Sequence, residues 1–308
     1  MSGRAIAFVL AVLAALVFPA VAGTYSVKLL QEILIWGIFA MSLDVLMGYA
    51  GMVSFGHSAF FGVGGYVAAL ALTQWGAGTV TGIVLPAVAA AVAAAVIGYF
   101  SIRVSGVYFI MLTLAFSQMF YAVTFQVAWL GAEDGIVGVP RPVILGVDLG
   151  TPKAFHVYVI GVAAATTLLL AGIVRSPFGH VLRGIHDNEG RMQSIGYAVH
   201  RYKLLAFVIA GTVAGVAGAL YTQFAGSITP EAFVWRTSGE ALLMVIIGGT
   251  GTLGGALLGA AAFILLQSFV SSYTERWMLL LGATFILFVL FAPGGIVGAL
   301  RGRIGLRA

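Results

Sequence analysis

Apolar runs long enough to cross a lipid bilayer follow one another along almost the whole chain. Hydrophobic residues make up 61% of the 308 positions and charged residues only 8%, whereas roughly 25% of the residues in a soluble domain are charged. A membrane-spanning helix needs about 20 mainly apolar residues. The pattern therefore predicts an all-α polytopic membrane protein in which residues 1–308 form a single transmembrane domain.

The apolar pattern divides into about ten spans, some of them short or broken by glycine. Residues 239–272 are too long for one crossing, and the sequence G-G-T-G-T-L-G-G at 248–255 divides them, because glycine adds backbone flexibility. The predicted spans are 5–22, 31–50, 54–73, 79–100, 105–130, 155–174, 204–224, 239–249, 253–271 and 277–295. Residues 20–22 resemble a signal-peptide cleavage site, but we favour a retained first span because the run leads directly into another.

The placement of positive charge predicts the orientation of the chain. Five of the 15 Arg and Lys residues lie in the polar stretch 175–203, and loops rich in these residues face the cytoplasm. Ten spans put both termini on the cytoplasmic side, and Arg103, between the fourth and fifth spans, falls on the same side. The terminal arginines on that side are Arg4, Arg301, Arg303 and Arg307. This topology explains the net charge of +5 without a nucleic-acid partner.

The opposite, outer side of the membrane is predicted from aromatic and acidic residues. Loops 131–154 and 225–238 lie on that side in the ten-span arrangement. Tryptophan is enriched at membrane interfaces, and all five tryptophans are expected at or near the outer one. They are Trp36, Trp75, Trp129, Trp235 and Trp277.

Residue patterns typical of catalysis are missing from the sequence. There is no cysteine and no H-E-x-x-H, and the five histidines show no spacing that suits a metal. None of the lysines stands in the G-K-[ST] pattern of a nucleotide-binding P-loop. We therefore expect neither a metal nor a cofactor on this chain, and no enzymatic activity. If ATP is used, another chain must bind it.

Glycines interrupt the second and eighth spans in a similar way. Gly48-x-x-Gly51 and Gly248-x-x-Gly251 suggest an internal repeat, and interrupted helices often line the substrate cavity of a transporter. The alternative is that both breaks are interfacial turns. The residues expected near a substrate path are Ser54, His57, Ser58, Gly51 and Gly251.

Asp44 is the clearest ionisable residue within a predicted span. A carboxylate inside the membrane suggests a functional site by default. The structural alternative is an inward-facing aspartate that a neighbouring helix satisfies, with Arg103 or His57 as its partner. We favour the structural alternative, because one aspartate does not make a proton relay.

The polar stretch 175–203 contains a predicted amphipathic helix of about three turns. Ser176 and Pro177 suit its N-cap and first position, and Gly190 is expected to end it. The helix could dock in a groove of a partner or lie on the lipid surface. Its apolar stripe is Phe178, Val181, Leu182 and Ile185, and its polar contacts are expected from Arg183, Asp187 and Glu189.

Seven stretches together resemble the M-type permease subunit of branched-chain amino-acid ABC importers. They cover nearly the whole chain in order: 48–66, 105–120, 133–136, 176–189, 203–221, 230–233 and 248–260. The sequence departs from the family pattern at residues 130–132, where Thr-Gly-Gly is common, and at His180 and His186, where Arg or Lys is usual. These departures bear on the loop details and the substrate, not on the class.

The resemblance implies a permease domain in a bacterial inner membrane that pairs with a second, related permease. It also implies two cytoplasmic P-loop ATPases and a periplasmic or extracellular substrate-binding protein. In the family, the segment matching 176–189 meets the ATPase, which favours docking over the lipid surface. Related permeases move branched-chain amino acids, urea, amides or aromatic acids.

Two other classes of function compete with this resemblance. A secondary transporter driven by an ion gradient would need coupling groups within the membrane, and Asp44 is the one candidate. An integral-membrane enzyme would need a catalytic constellation that the sequence lacks. Transport by the isolated chain in liposomes under an ion gradient would favour the secondary transporter, since a permease subunit is expected to be inert alone.

The predicted topology can be tested with single cysteines in this naturally cysteine-free chain. Gly150→Cys, Ser194→Cys and Ala308→Cys are each labelled with a membrane-impermeant maleimide. We expect only the cysteine at position 150 to react from outside, because the positive-inside rule places the other two in the cytoplasm. Labelling of position 194 from outside would invert the topology.

Overall fold

The computed structural model describes residues 3–76, 78, 80–141, 143–144, 147–274, 276–291 and 294–304, and the described chain is mainly helical. The helices, in order, are α1 Gly3–Val21, α2 Thr24–Asp44, α3 His57–Thr73, α4 Thr81–Ser101, α5 Val107–Gln126, α6 Pro152–Arg175, α7 Pro177–Asp187, α8 Glu189–Ser194, α9 Val199–Ala225, α10 Trp235–Gly248, α11 Leu253–Ser271, α12 Trp277–Phe291 and α13 Gly295–Ile304.

These helices confirm an all-α polytopic membrane fold. Among the described residues, six segments are long and apolar enough to cross a membrane: Thr24–Tyr49, Thr81–Ser101, Val107–Gln126, Pro152–Arg175, Val199–Ala225 and Leu253–Ser271. Phe8–Val21 and His57–Thr73 are shorter apolar helices. The count of ten crossings stays a prediction. The predicted span start at residue 79, residues 292–293 of the last span, and Arg307 and Ala308 lie outside the described residues.

Several predicted boundaries are wrong, including the end of α5 at Gln126 rather than residue 130, and the starts of α9 at Val199 rather than residue 204 and of α10 at Trp235 rather than residue 239. The second helix begins at Thr24 rather than residue 31, and a π-helical turn, Val45–Tyr49, follows it. The third helix begins at His57 rather than residue 54, because residues 51–56 are irregular. The first glycine interruption is therefore a true gap between helices.

Short strands join the two loops that were predicted to lie outside. β1, Ile136–Val137, pairs antiparallel with β4, Ser227–Ile228, while β2, Val143–Ile144, pairs with β3, Val147–Asp148. The first of these pairs links the loop after α5 to the loop after α9. Both loops therefore lie at the same end of the helical bundle, which agrees with their predicted common side.

Helices α2 and α9 form the centre of the bundle, with α3 packed against α9. The most apolar stretch of α2 is 72% buried and that of α9 is 61% buried, against 28% for α4 and 22% for α5. Helices α4 and α5 therefore lie at the periphery.

Glycine brings α3 and α9 into backbone contact. A Cβ added at Gly64 would clash with the carbonyl oxygen of Gly215, and one added at Gly218 would clash with that of Phe61. Small residues permit this close approach where lipid supplies no hydrophobic drive between helices.

The contact between α3 and α9 can be tested by Gly218→Val, with Gly161→Val as its control. A Cβ at Gly161 would meet nothing within 4 Å, so the control introduces the same side chain into a helix without a clash. We expect Gly218→Val to destabilise the fold by about 1–3 kcal/mol or more, as overpacking does. Thermal unfolding in detergent measures the difference. Equal stability of the two variants would show that the helices do not need this approach.

Candidate functional site

The two glycine interruptions contact each other in the interior of the bundle. The Asp44 side chain, at the end of α2, accepts a hydrogen bond through Oδ1 from the backbone N–H of Gly251 at 2.8 Å. A Cβ added at Gly48 would clash with Gly251 and with the Asp44 carboxylate. Gly51 and Gly251 have φ angles of 70° and 72°, which other L-residues rarely adopt. Glycine is therefore required at this contact for both conformation and space.

Asp44 is fully buried, and its partner differs from both predicted ones. The expectation that a neighbouring segment satisfies this carboxylate is confirmed, but the partner is the backbone of the second interruption rather than Arg103 or His57. The other oxygen, Oδ2, has no hydrogen-bond partner among the described residues. A backbone amide freed by a helix break needs such an acceptor because lipid offers none.

His57 is buried in the helix packing. Its Nε2 lies 2.8 Å from the hydroxyl of Ser42, and its ring stacks on Phe39 with 5.4 Å between centroids. Because Ser42 donates its hydroxyl proton to the carbonyl oxygen of Phe39, Nε2 of His57 is the donor to Ser42. The imidazole therefore ties the start of α3 to α2.

Ser58 joins α3 to α5, to α10 and to the segment before α10. Its backbone N–H donates to the hydroxyl of Ser238 at 2.7 Å, and its own hydroxyl donates to the carbonyl oxygen of Phe233 at 3.1 Å. The hydroxyl of Ser117 on α5 also donates to that carbonyl oxygen. Ser54 is buried as well. Ser54, His57 and Ser58 are all buried between helices in this structure, and their place near a substrate path stays a prediction.

An outer crevice of about 240 Å³ opens beside the two joined loops. Trp36, Phe61 and Tyr221 form its aromatic side, and Glu231, Arg236 and Glu240 form its charged side. We call the cavity that these six residues line the outer crevice. Glu231 and Arg236 lie in the predicted outer loop 225–238, and nothing local in the sequence links them to α2 or α9.

Trp36 departs from the predicted outer belt. It is packed against Phe61 and Tyr221, at ring-centroid distances of 5.8 and 6.2 Å, and so it helps to form the wall of the outer crevice. Trp75, Trp129 and Trp235 are exposed, as an interfacial position requires.

The predicted amphipathic helix is present as α7, with a different end and a different orientation. It ends at Asp187 instead of Gly190, because Asn188 caps the following helix α8 through its side-chain oxygen. Ser176 occupies the N-cap position, but its hydroxyl donates to the carbonyl oxygen of Ile173 instead of capping α7.

The apolar stripe of α7 faces this chain itself. Val181, Leu182 and Ile185 are 8%, 0% and 3% exposed, and Phe178 stacks on Tyr202 of α9 at 5.7 Å. The prediction that this stripe enters a groove of a partner is therefore wrong, because α6, α9 and the π-helical turn already cover it. An aspartate at Leu182 would disturb the fold rather than report on docking.

The polar residues of the segment divide into two groups. Glu189 is held within the chain by an ion pair with Lys203 at 2.6 Å, so its predicted contact with a partner is replaced by an internal one. Arg183 and Asp187 are exposed, and so are His180 and His186. These four exposed side chains are named the α7 outer face.

The α7 outer face touches the first glycine interruption directly. The Arg183 guanidinium lies 5.1 Å from the ring centroid of Tyr49. A Cβ added at Gly51 would lie 2.8 Å from Cδ2 of His186. A crevice of about 300 Å³ separates this helix from residues 50–53 and 104–106. Gly51 alone among the predicted path residues therefore lies at an open crevice.

No group of three or more potential metal ligands occurs within the part of the chain that the structure describes. The features that remain are a joined pair of helix breaks, a mixed-charge crevice at one end and an exposed polar helix beside the first break. Together they suit transport rather than a bond-making reaction.

The family described as "Branched-chain amino acid transport system / permease component" matches residues 25–289. The chain belongs to this family. The high-affinity branched-chain amino acid permease LivM of Salmonella typhimurium is 24% identical, over 96% of this chain and 75% of the relative. LivM of Methanocaldococcus jannaschii is 23% identical, over 88% of this chain and 94% of the relative. LivH of Escherichia coli is 31% identical but covers 40% of each chain. No solved structure shows a significant match.

These matches confirm the resemblance to the permease subunits, and the M-type relatives align over nearly the whole chain. The protein is a transmembrane subunit of an ABC importer, a multi-pass membrane protein that acts with ATPase and substrate-binding partners. The alternative of an ion-gradient-driven transporter is not supported.

The bond between the two interruptions can be tested at Asp44. Asp44→Ala removes the acceptor for the Gly251 amide, whereas Asp44→Asn keeps a carbonyl oxygen in its place. Leaving a buried donor unsatisfied costs about 1–3 kcal/mol. We therefore expect thermal unfolding in detergent to be clearly earlier for Asp44→Ala than for Asp44→Asn. Identical unfolding of the two variants would mean that the hydrogen bond does not hold the breaks together.

Proposed function

We propose that this chain forms half of the translocation pathway of an importer for branched-chain amino acids or related small polar solutes. It pairs with a second, related permease subunit, and a periplasmic or extracellular binding protein delivers the solute to the joined outer loops. Two cytoplasmic P-loop ATPases supply the energy, while this chain binds no cofactor and catalyses no reaction. Membrane lipid surrounds the peripheral helices, and both termini lie in the cytoplasm.

The observation that carries this proposal is the way in which α7 is mounted. Its apolar stripe is buried against α6 and α9, so the helix is fixed to the membrane domain rather than free on the lipid. Its other face is polar and exposed, and on that face Arg183 and His186 also border the first interruption. A helix that is anchored on one side and free on the other suits docking to a second protein.

The α7 outer face replaces the apolar stripe as the proposed docking surface. His180, Arg183 and Asp187 are all exposed within about two turns of α7. Exposed charges at an interface guide association and fix the register of the partners. Glu189 supports this surface indirectly, because its ion pair with Lys203 holds the junction of α7 and α8 to α9.

Motion of α7 reaches the pathway over a short distance. The contacts of Arg183 with Tyr49 and of His186 with Gly51 connect the docking surface to the first interruption. The Asp44 bond then connects that interruption to the second one. ATP-driven displacement of α7 therefore shifts both breaks together, as rocking between alternating-access states requires.

The docking surface can be tested with Arg183→Glu combined with Asp187→Lys, which reverses two charges and leaves the net charge unchanged. The assembly is purified through this subunit, and the ATPases that remain bound are quantified. Like charges that face each other across an interface cost several kcal/mol, and 1.4 kcal/mol is a tenfold change in the binding constant. We expect ATPase recovery to fall about tenfold or more, with ATP-driven uptake lost in parallel.

Arg103→Glu is the control, because Arg103 is exposed on the same predicted side but stacks on Tyr99 at the end of α4, outside α7. It should retain the ATPases. Recovery of the ATPases with the double variant at the level of the unchanged protein, together with normal uptake, would show that α7 is not the coupling element.

A further inference from the structure

The outer crevice has the size of a site for a single small solute. Its volume is about 240 Å³, slightly below the range of about 300–1,000 Å³ that is usual for drug-sized ligands. Helices α2, α3, α9 and α10 contribute to its walls, together with the segment that precedes α10. It therefore lies where the central helices of the bundle meet the two joined outer loops.

Two glutamates attract the Arg236 guanidinium electrostatically, but neither is close enough to form a hydrogen bond with it. Its Nη2 lies 3.9 Å from Oε2 of Glu231, and its Nε lies 3.8 Å from Oε1 of Glu240. Both distances exceed the 2.7–3.2 Å or so that is normal for an N–H···O bond. No hydrogen bond of this side chain to another described residue is present. The planar donor fork is therefore available for a carboxylate, which arginine binds in a bidentate manner.

Carboxylates outnumber the guanidinium in this region. Glu231 and Glu240 both line the crevice, and Arg236 is the cation among the described residues that line it. The Glu240 side chain is only 25% exposed. A recessed site with excess negative charge attracts a cationic group. An ammonium group would therefore be accommodated next to Arg236.

The wall opposite these charges is aromatic. The Phe61 ring lies 5.8 Å from Trp36 and 5.5 Å from Tyr221, measured between centroids. Phe61 is almost fully buried, so the wall is fixed by packing. Such a surface favours an apolar side chain, since burial of apolar area is the main attraction it can offer.

We propose that the outer crevice binds one α-amino acid as a zwitterion on its way through the membrane. Arg236 binds the carboxylate, Glu240 binds the ammonium group, and the aromatic wall contacts the side chain of the solute. Arg236 and Glu240 stand on adjacent turns of α10, and an α-amino acid carries its two charges on neighbouring groups. This inference rests on the proposed function and adds that the membrane subunit itself recognises the solute.

The test measures binding of radiolabelled leucine to the complete permease–ATPase complex in nanodiscs, without the binding protein. We expect Arg236→Gln and Glu240→Gln each to weaken binding about tenfold or more, because each removes a charged hydrogen-bond partner. Arg236→Lys keeps the charge but loses the fork, so it should lie between Arg236→Gln and the unchanged protein. Glu133→Gln is the matched control, since Glu133 is exposed on the other outer loop and lies outside the crevice.

Competition with analogues separates recognition of the two charges. Leucinamide lacks the carboxylate and 4-methylpentanoate lacks the ammonium group, so both should compete poorly in the unchanged complex. In Arg236→Gln the preference for leucine over leucinamide should shrink at least fivefold, because the group that reads the carboxylate is gone. A general loss of structure would not change this ratio.

The outcomes distinguish this inference from the proposed function. A complex that takes up leucine with ATP and its binding protein, but whose Arg236→Gln and Glu240→Gln variants bind leucine like the control, overturns the inference alone. The same holds if the complex without its binding protein binds no leucine. A complex that takes up no amino acid under any of these conditions contradicts the proposed function and the inference together.

Discussion

A backbone amide inside a membrane must find its hydrogen-bond acceptor within the protein, because the hydrocarbon offers none. In this permease subunit that requirement joins two interrupted helices, since the Asp44 carboxylate accepts the Gly251 amide. Glycine at position 48 leaves room for the second interruption to approach. The start of α13 also packs here, because a Cβ at Gly295 would clash with the backbone of Gly249. The end of α2, the second interruption and the start of α13 therefore pack together around the hydrogen bond between Asp44 and Gly251.

This contact also explains how the short helix α7 can influence the interior of the bundle. Tyr49 and Gly51 follow Asp44 by less than two turns of chain, and both touch α7 through Arg183 and His186. A displacement of α7 is therefore applied to the segment that carries the Asp44 bond. No long chain of side chains is needed between the docking surface and the breaks.

The outer crevice is formed in part by the same two helices, about two turns before the breaks. Trp36 precedes Asp44 on α2 by eight residues, and Glu240 precedes Gly248 on α10 by eight residues. Because a helix of this length behaves as a rigid element, movement of the joined breaks also moves the two sides of the crevice. Recognition of a solute and coupling to an ATPase can thus share one mechanical unit.

The sequence by itself determined the membrane class, the order of the helices, the glycine interruptions and the existence of α7, because hydropathy, helix periodicity and glycine content are local properties. The tertiary structure alone decided which surface covers each face. The stripe of Leu182 and Ile185 showed that one side of α7 is buried, but not that this chain buries it. The partner of Asp44 lies 207 residues away, and the Trp36 wall is completed by α3 and α9. Such contacts depend on how distant helices pack, which no local pattern encodes.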